Sequence, residues 1–266
     1  MYYTKRVITM EKLIQNIAEI LQHGGVENFR QESRWLAEES ASPQQALENA
    51  RRRAAGVPLQ YLLGSAPFRY LMLKSDPRAL IPRPETETLA QWLIDRTPAN
   101  GKVLDLGTGS GAIALAVATE RPDTAVTAVD ISADALALAQ ENAKLCKAEN
   151  VSFIQSDLFS ALQGYRFDSI GANLPYVTDE EYASLAPEVR NFEPRLALTA
   201  PENGLLLIRK TIENIASFLN PGGHAIFELS PEQAPAAMEM LRQAGLDAAI
   251  MQDLCGRDRF VTGIMP

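Results

Sequence analysis

Asn173-Leu174-Pro175-Tyr176 has residue types and a spacing that could do chemistry on a flat polar group. An asparagine just before an x-Pro bond presents its amide next to a backbone that the proline keeps extended and restricted. A tyrosine nearby can lay its ring against a planar substrate. A second group is Asp105-Leu106-Gly107-Thr108-Gly109-Ser110-Gly111, which follows an apolar run and opens a helical one. Three glycines in five residues let the backbone turn tightly and approach a ligand. The helix N-terminus behind them offers unpaired N–H groups to an anion. Asp130 stands 19 residues after Gly111, where an acid can accept hydrogen bonds from both hydroxyls of a ribose. In Ser156-Asp157-Leu158-Phe159, Asp157 either reaches the amino group of an adenine, with Leu158 over the ring, or caps the short helix that follows. The glycine loop does not choose its ligand, because Gly107-x-Gly109-x-x-Ala112 also fits the dinucleotide fingerprint. A nicotinamide dehydrogenase stays open at this point.

These groups need strands to carry them. Short apolar runs at 102–106, 125–129, 151–155, 167–172 and 223–229 alternate with helical patterns at 111–120, 133–146 and 205–219. That alternation predicts a parallel sheet covered on both faces, with the candidate residues at the carboxyl ends of its strands. Two further runs, LDAAIMQDL and DRFVTGIM, lie close together at the end and predict an antiparallel hairpin. The front of the chain reads as helices: an apolar stripe over Leu13–Leu21 stopped by Gly24-Gly25, a second helix over Glu27–Glu39, and a third opened by Ser42, Pro43 and a capping box completed by Gln45. The expected organisation is a helical domain over 1–66, a β-hairpin or linker over 67–84, and an α/β domain over 85–266.

Composition narrows the function. With 33 acidic and 25 basic residues the net charge is −8, against a grip on a long nucleic-acid backbone. The run Arg51-Arg52-Arg53 reads as a solvated helix surface. Two cysteines, Cys146 and Cys255, and two histidines, His23 and His224, make no metal ligand set, disulfide framework or catalytic triad. No run approaches the ~20 apolar residues of a membrane span. MYYTKRVITM lacks the apolar core of a signal peptide, and Met10 is an alternative start. The expectation is a cytoplasmic protein with no metal, no direct nucleic-acid partner and no membrane.

Taken together, NLPY (173–176), LIPRPETE (80–87), VLDLGTGSGAIALA (103–116), QSDLF (155–159), QDLCGRDRF (252–260) and PLQYLLG (58–64) resemble the HemK-type release factor glutamine methyltransferases over essentially the whole chain. NLPY is close to the (N/D)PPY motif of class I methyltransferases that act on exocyclic nitrogens. The resemblance implies a Rossmann-like class I methyltransferase fold, a mostly parallel seven-stranded sheet, behind a small helical domain that recognises the substrate. It implies S-adenosyl-L-methionine on Gly107, Thr108, Gly109, Ser110 and Gly111, with Asp130 on the ribose, Asp157 and Leu158 at the adenine, and S-adenosyl-L-homocysteine as product. Asn173, also beside the cofactor, would act with Leu174, Pro175 and Tyr176 to hold the glutamine of the Gly-Gly-Gln loop of class 1 peptide chain release factors. Asn173, Pro175 and Tyr176 would form the catalytic group. Two residues depart from the pattern: Leu174 stands where proline is common, and Ser230 follows Glu228-Leu229 where glycine is common. If only the carbonyl of Leu174 is needed, the first departure is silent.

The chemistry agrees with the resemblance. An amide nitrogen is a poor nucleophile, and two acceptors, the Asn173 side-chain oxygen and the Leu174 carbonyl, can take its N–H bonds and turn its lone pair toward a methyl donor. No strong base is required. An N6-adenine methyltransferase would want a basic face, a ribosomal-protein glutamine methyltransferase is the nearer alternative, a dehydrogenase leaves NLPY unexplained, and a non-catalytic binding module leaves the whole site unexplained.

Overall fold

The computed structural model describes residues 9–266. In chain order these form α1 (Met10–His23), α2 (Phe29–Glu39), α3 (Pro43–Ala54), α4 (Leu59–Leu63), β1 (Ser65–Phe68), β2 (Leu71–Lys74), α5 (Thr86–Arg96), β3 (Lys102–Leu106), α6 (Ala112–Glu120), β4 (Ala125–Asp130), α7 (Ala133–Cys146), β5 (Val151–Gln155), β6 (Phe167–Ala172), α8 (Asp179–Ser184), α9 (Pro187–Phe192), α10 (Leu206–Ile215), β7 (Leu219–Glu228), α11 (Ala234–Gln243), β8 (Asp247–Gln252) and β9 (Asp258–Ile264). They divide into two compact units. The residues up to Ser65 join Ala186–Phe192 in one, and Ala66–Leu185 join Glu193–Pro266 in the other.

The smaller unit is a helical packing problem. Leu13, Ile17 and Leu21 recur at helical spacing on α1 and pack with Leu36, Ala46, Ala50 and Leu59. At the end of α1, a Cβ on Gly24 would come within 2.5 Å of the Ala54 Cβ, so glycine lets α1 and α3 converge there. Ser42 caps α3 by accepting from the Gln45 N–H at 3.2 Å, but the Gln45 side chain turns to Asn49 at 3.0 Å and leaves the expected box half made. The basic run is also not uniform. Arg51 and Arg52 are exposed, whereas Arg53 is drawn in by Glu32, at 2.7 Å, and by Glu188 of α9. Two carboxylates around one guanidinium explain why that arginine leaves solvent.

The larger unit is a seven-stranded sheet in the order β5-β4-β3-β6-β7-β9-β8. The strands from β5 to β7 pair in parallel, and β9 runs antiparallel to both β7 and β8. Successive residues of β3 show why both faces are covered. Val103 packs with Leu89, Trp92, Ile113 and Val117, while Leu104 packs with Ile170, Ile208, Ile212 and Phe227. A strand buried on both faces reads as a continuous apolar run. This is the expected class I methyltransferase architecture. The chain runs outward through β4 and β5, then returns to place β6 on the other side of β3. The crevice at that reversal, at the carboxyl ends of β3 and β6, is where open α/β sheets bind ligands.

The β1–β2 hairpin belongs with this unit. Phe68 and Leu73 are buried against Ala112, Leu115 and Ala143, so the hairpin is part of a core. Asn142 fixes it further, accepting from the Lys74 N–H at 2.7 Å and donating to the Lys74 carbonyl at 3.1 Å. Helix α11 has no counterpart in the sequence reading, because Pro235 falls inside it. Pro235 sits in the first turn, where no N–H is needed.

Candidate active site

A cavity opens at the carboxyl ends of β3, β4 and β6. Its wall includes Gly107, Thr108, Gly109 and Ser110 after β3, Asp130 at the end of β4, Asp157 and Leu158 after β5, and Asn173, Leu174 and Pro175 after β6. Strand pairing accounts for the convergence. Leu106 lies opposite Val129 on one side and Ala172 on the other, so the next residues of all three strands emerge together. Gly111 and Tyr176, two other candidates, do not line the cavity. Gly111 is the N-cap of α6, with φ +87° and a Cβ position 3.1 Å from Leu115, so it serves the turn and the packing behind it.

The glycine loop is held from several directions. The Gly107 and Thr108 N–H groups both donate to the Val129 carbonyl, at 2.9 and 2.8 Å. Asp130 accepts from the Gly109 N–H and the Ser132 N–H, both at 2.9 Å. Burial pushes the Asp130 carboxyl up, and those backbone donors oppose the shift. Behind the loop, Asp105 is fully buried and accepts from the Thr108 hydroxyl at 2.6 Å and the Ala114 N–H at 3.1 Å. Burial pushes its carboxyl up to about 7. Its Oδ1 is buried with no hydrogen-bond partner among the described residues. The Asn142 amide ties Ser110 to the hairpin by donating to the Ser110 carbonyl at 2.9 Å.

Across β5, the following turn is organised by Ser156. Its hydroxyl donates to the Leu158 carbonyl at 2.6 Å and accepts from the Ala161 N–H at 3.0 Å. Asp157 is exposed on the cavity wall and caps no helix. Leu158 has φ +48°. A branched residue in that region is costly, on the order of 1–3 kcal/mol, and such strain gathers at ligand sites.

The NLPY segment is held by residues far away in sequence. The Asn173 side-chain N–H donates to the Thr86 hydroxyl at 3.1 Å. Neither Asn173 Oδ1 nor the Leu174 carbonyl receives a hydrogen bond among the described residues. Gln233 donates to the Tyr176 carbonyl at 2.8 Å and to the Asn203 carbonyl at 2.9 Å. The Arg259 guanidinium lies 5.8 Å from the centre of the Tyr176 ring. Burial raises the Tyr176 hydroxyl above its usual range. Gly204 closes this side, since a Cβ there would overlap the Tyr176 carbonyl oxygen.

In LIPRPETE, Arg83 lines the cavity and pairs with buried Glu193 at 2.6 Å. Glu193 also accepts from the Ile81 N–H at 3.0 Å, fixing the loop before α5. Glu85 stands at the start of α5 and pairs with Arg257 at 3.3 Å.

Comparison with known proteins follows the same lines. The methyltransferase small domain family matches residues 84–189. The release factor glutamine methyltransferase of Deinococcus radiodurans is 44% identical over 218 residues, covering 81% of this chain and 77% of that protein. The protein of the same name from Geobacter sulfurreducens is 36% identical over 275 residues and covers 96% of both. The chain belongs to the release factor glutamine methyltransferase family. A crystal structure of a methyltransferase from Pyrococcus furiosus shares the fold, with a TM-score of 0.56 at 18% identity over 72% of this chain and 87% of that one. Against the family pattern, both departures have a structural setting. The Leu174 side chain is only 4% exposed and packs in the main core, with its Cδ2 beneath Gly107, where a Cβ would meet it at 2.8 Å. The Ser230 N–H donates to the Gln233 side-chain oxygen at 3.1 Å, which orients the amide that holds Tyr176.

Proposed function

We propose that this chain transfers a methyl group from S-adenosyl-L-methionine to the side-chain amide nitrogen of the glutamine in the Gly-Gly-Gln loop of class 1 peptide chain release factors. The carrying observation is the pair of free acceptors, Asn173 Oδ1 and the Leu174 carbonyl, in residues on the wall of a cavity shared with a glycine loop and Asp130. Family membership supports the same reading.

The residues present fit that cofactor. Gly107, Gly109 and Gly111 all have positive φ, which keeps side chains out of the turn. Asp130 keeps lone pairs for two hydroxyls beyond its two backbone donors. Leu158 offers an apolar surface, and Asp157 an acceptor, for a flat base. The orphaned Oδ1 of Asp105 is a buried acceptor beneath the same loop. When bound, S-adenosylmethionine supplies a methyl group on a positively charged sulfur.

The chain's own contribution is positioning. Asn173 Oδ1 and the Leu174 carbonyl accept the two N–H bonds of the acceptor amide, which holds the nitrogen and favours the geometry in which its lone pair leaves resonance. Pro175 keeps the Leu174 backbone extended. Tyr176 lies behind the cavity, where Gln233 holds its carbonyl and Arg259 stands over its ring, and it anchors the segment that carries the two acceptors. The amide gives up one N–H proton as its nitrogen is alkylated, and that proton passes to water. A single glutamine side chain carries little identity, so the front helices, α1 to α4, supply the surface that chooses a release factor.

The test is to incubate the full chain and S-adenosylmethionine with a release factor, a ribosomal protein and DNA, and to locate added methyl groups by mass spectrometry. Methyl on the Gly-Gly-Gln glutamine is expected. Methyl on adenine, or on a ribosomal-protein glutamine alone, would overturn the assignment.

A further inference from the structure

Asn142 is a fully buried polar side chain on α7, and its amide has only one way to sit. Oδ1 accepts from the Lys74 N–H at 2.7 Å, while Nδ2 donates to the carbonyls of Lys74 at 3.1 Å and Ser110 at 2.9 Å. Backbone N–H groups only donate and carbonyls only accept, so all three partners demand the same orientation. One of the three, Ser110, lies on the cavity wall, and Asn142 itself does not.

The Ser110 carbonyl is available to Asn142 because α6 opens irregularly. In a regular helix that carbonyl would take the N–H of Ala114, four residues on. Here the Ala114 N–H donates to Asp105 Oδ2 at 3.1 Å, and the next bond of the helix, from the Leu115 N–H to the Gly111 carbonyl at 2.8 Å, is regular. Asp105 Oδ2 can accept whether its carboxyl is charged or carries a proton on Oδ1. Two buried side chains thus replace one helical hydrogen bond, and the Ser110 carbonyl is drawn out of the opening of α6. The N–H groups of Ser110, Ala112 and Ile113 have no acceptor among the described residues, and all three residues line the cavity. A carbonyl oxygen turned into that opening would compete for these donors and set a negative dipole end against a ligand that needs them.

We infer that Asn142 is a positioning residue for the cofactor: by holding the Ser110 carbonyl toward α7 and β2, it keeps the free N–H groups at the opening of α6 turned to S-adenosylmethionine, without touching it. The inference rests on the cofactor reading proposed above, and the measurements below separate the two.

The experiment uses the full chain. S-adenosylhomocysteine affinity is measured by calorimetry at a temperature where circular dichroism shows each variant folded, and kcat and both KM values are measured with a release factor as substrate. Asn142→Leu keeps the bulk and removes the donor to Ser110. S-adenosylhomocysteine affinity should weaken roughly tenfold, the scale of one lost neutral hydrogen bond. KM for S-adenosylmethionine should rise by about as much, with kcat and KM for the release factor within about threefold of the parent. If that variant does not fold, Asn142→Ala takes its place with the same expectation. Leu73→Ala loosens the packing of the same hairpin and leaves the Asn142 amide in place. Its melting temperature should fall at least as far, with S-adenosylhomocysteine affinity within about threefold of the parent.

Parent-like affinity in a folded Asn142 variant overturns the inference. An equal loss in Leu73→Ala also overturns it, since a loosened hairpin would then explain both. So does a fall in kcat as large as the rise in KM, because the disturbance would then not be confined to cofactor binding. No S-adenosylhomocysteine binding by the parent overturns the cofactor reading and this inference with it. Binding by the parent with no methyl on the release factor overturns the proposed function, and the calorimetry still decides the role of Asn142.

Discussion

The two halves of the site end adjacent strands, yet they are built differently. After β3, three glycines at positive φ shape the turn, Thr108 bonds to Asp105 three positions away, and the outside supports, Val129, Asp130 and Asn142, come from the next strand and helix. After β6, NLPY is shaped by strangers. Thr86 lies 87 residues from Asn173, and Gln233 lies 57 residues from Tyr176. A turn that binds a common cofactor can be encoded locally, because backbone groups do most of the work. A pocket that must orient one amide needs side chains with defined donors and acceptors, and the fold gathers those from wherever its strands end.

The sharpest way to break this contrast is Asn173→Ala. Turnover should fall on the order of 10²–10³, the usual cost of one preorganised polar contact, while S-adenosylhomocysteine affinity stays near normal. Steady-state kinetics beside calorimetry would show it, and a matching loss of affinity would mean the two halves are not separable. Asp130→Ala should do the reverse. It removes charge-assisted hydrogen bonds to the cofactor and also releases the Gly109 and Ser132 N–H groups, so affinity should weaken by about 1.5–3 kcal/mol. Unchanged affinity in a folded variant would take Asp130 out of the site.

Leu174→Pro tests where the halves touch. Its carbonyl is preserved, but the buried side chain beneath Gly107 is trimmed, so melting temperature should drop, corresponding to about 1–2 kcal/mol, with kcat little changed. A collapse of kcat at unchanged stability would give that side chain a role in seating the acceptor. Gln233→Ala should have the smallest effect. It leaves the Tyr176 and Asn203 carbonyls without their donor, and KM for the release factor should rise about threefold to tenfold, corresponding to one weakened contact. An unchanged KM would show that Gly204 and Arg259 suffice to hold the tyrosine.

The same contrast explains what could be read from the sequence. Strands with continuous apolar runs, such as 102–106 and 167–172, have the bounds expected of them, because burial on both faces leaves a local signature. The glycine loop and NLPY were visible as motifs. Thr86, Glu193, Gln233 and Gly204 were not singled out, since each acts on a backbone group or amide that only the fold brings near. Asn142 did leave a trace, as a lone polar residue on the buried face of α7 beside Leu138, Ala139 and Ala143. Arg53 was misread because its partners, Glu32 and Glu188, are 21 and 135 residues away.

The crowding at Gly204 has a consequence for how this protein tolerates change. In a library of all single substitutions selected for methylation, positions around the cavity should accept replacements in proportion to how much of the ligand they meet. Gly204 meets none of it, yet any side chain there collides with the Tyr176 carbonyl and displaces the Gln233 amide. It should therefore stand out as a position closed to every other amino acid, while Glu213, exposed on α10 and paired with Arg209, should vary freely.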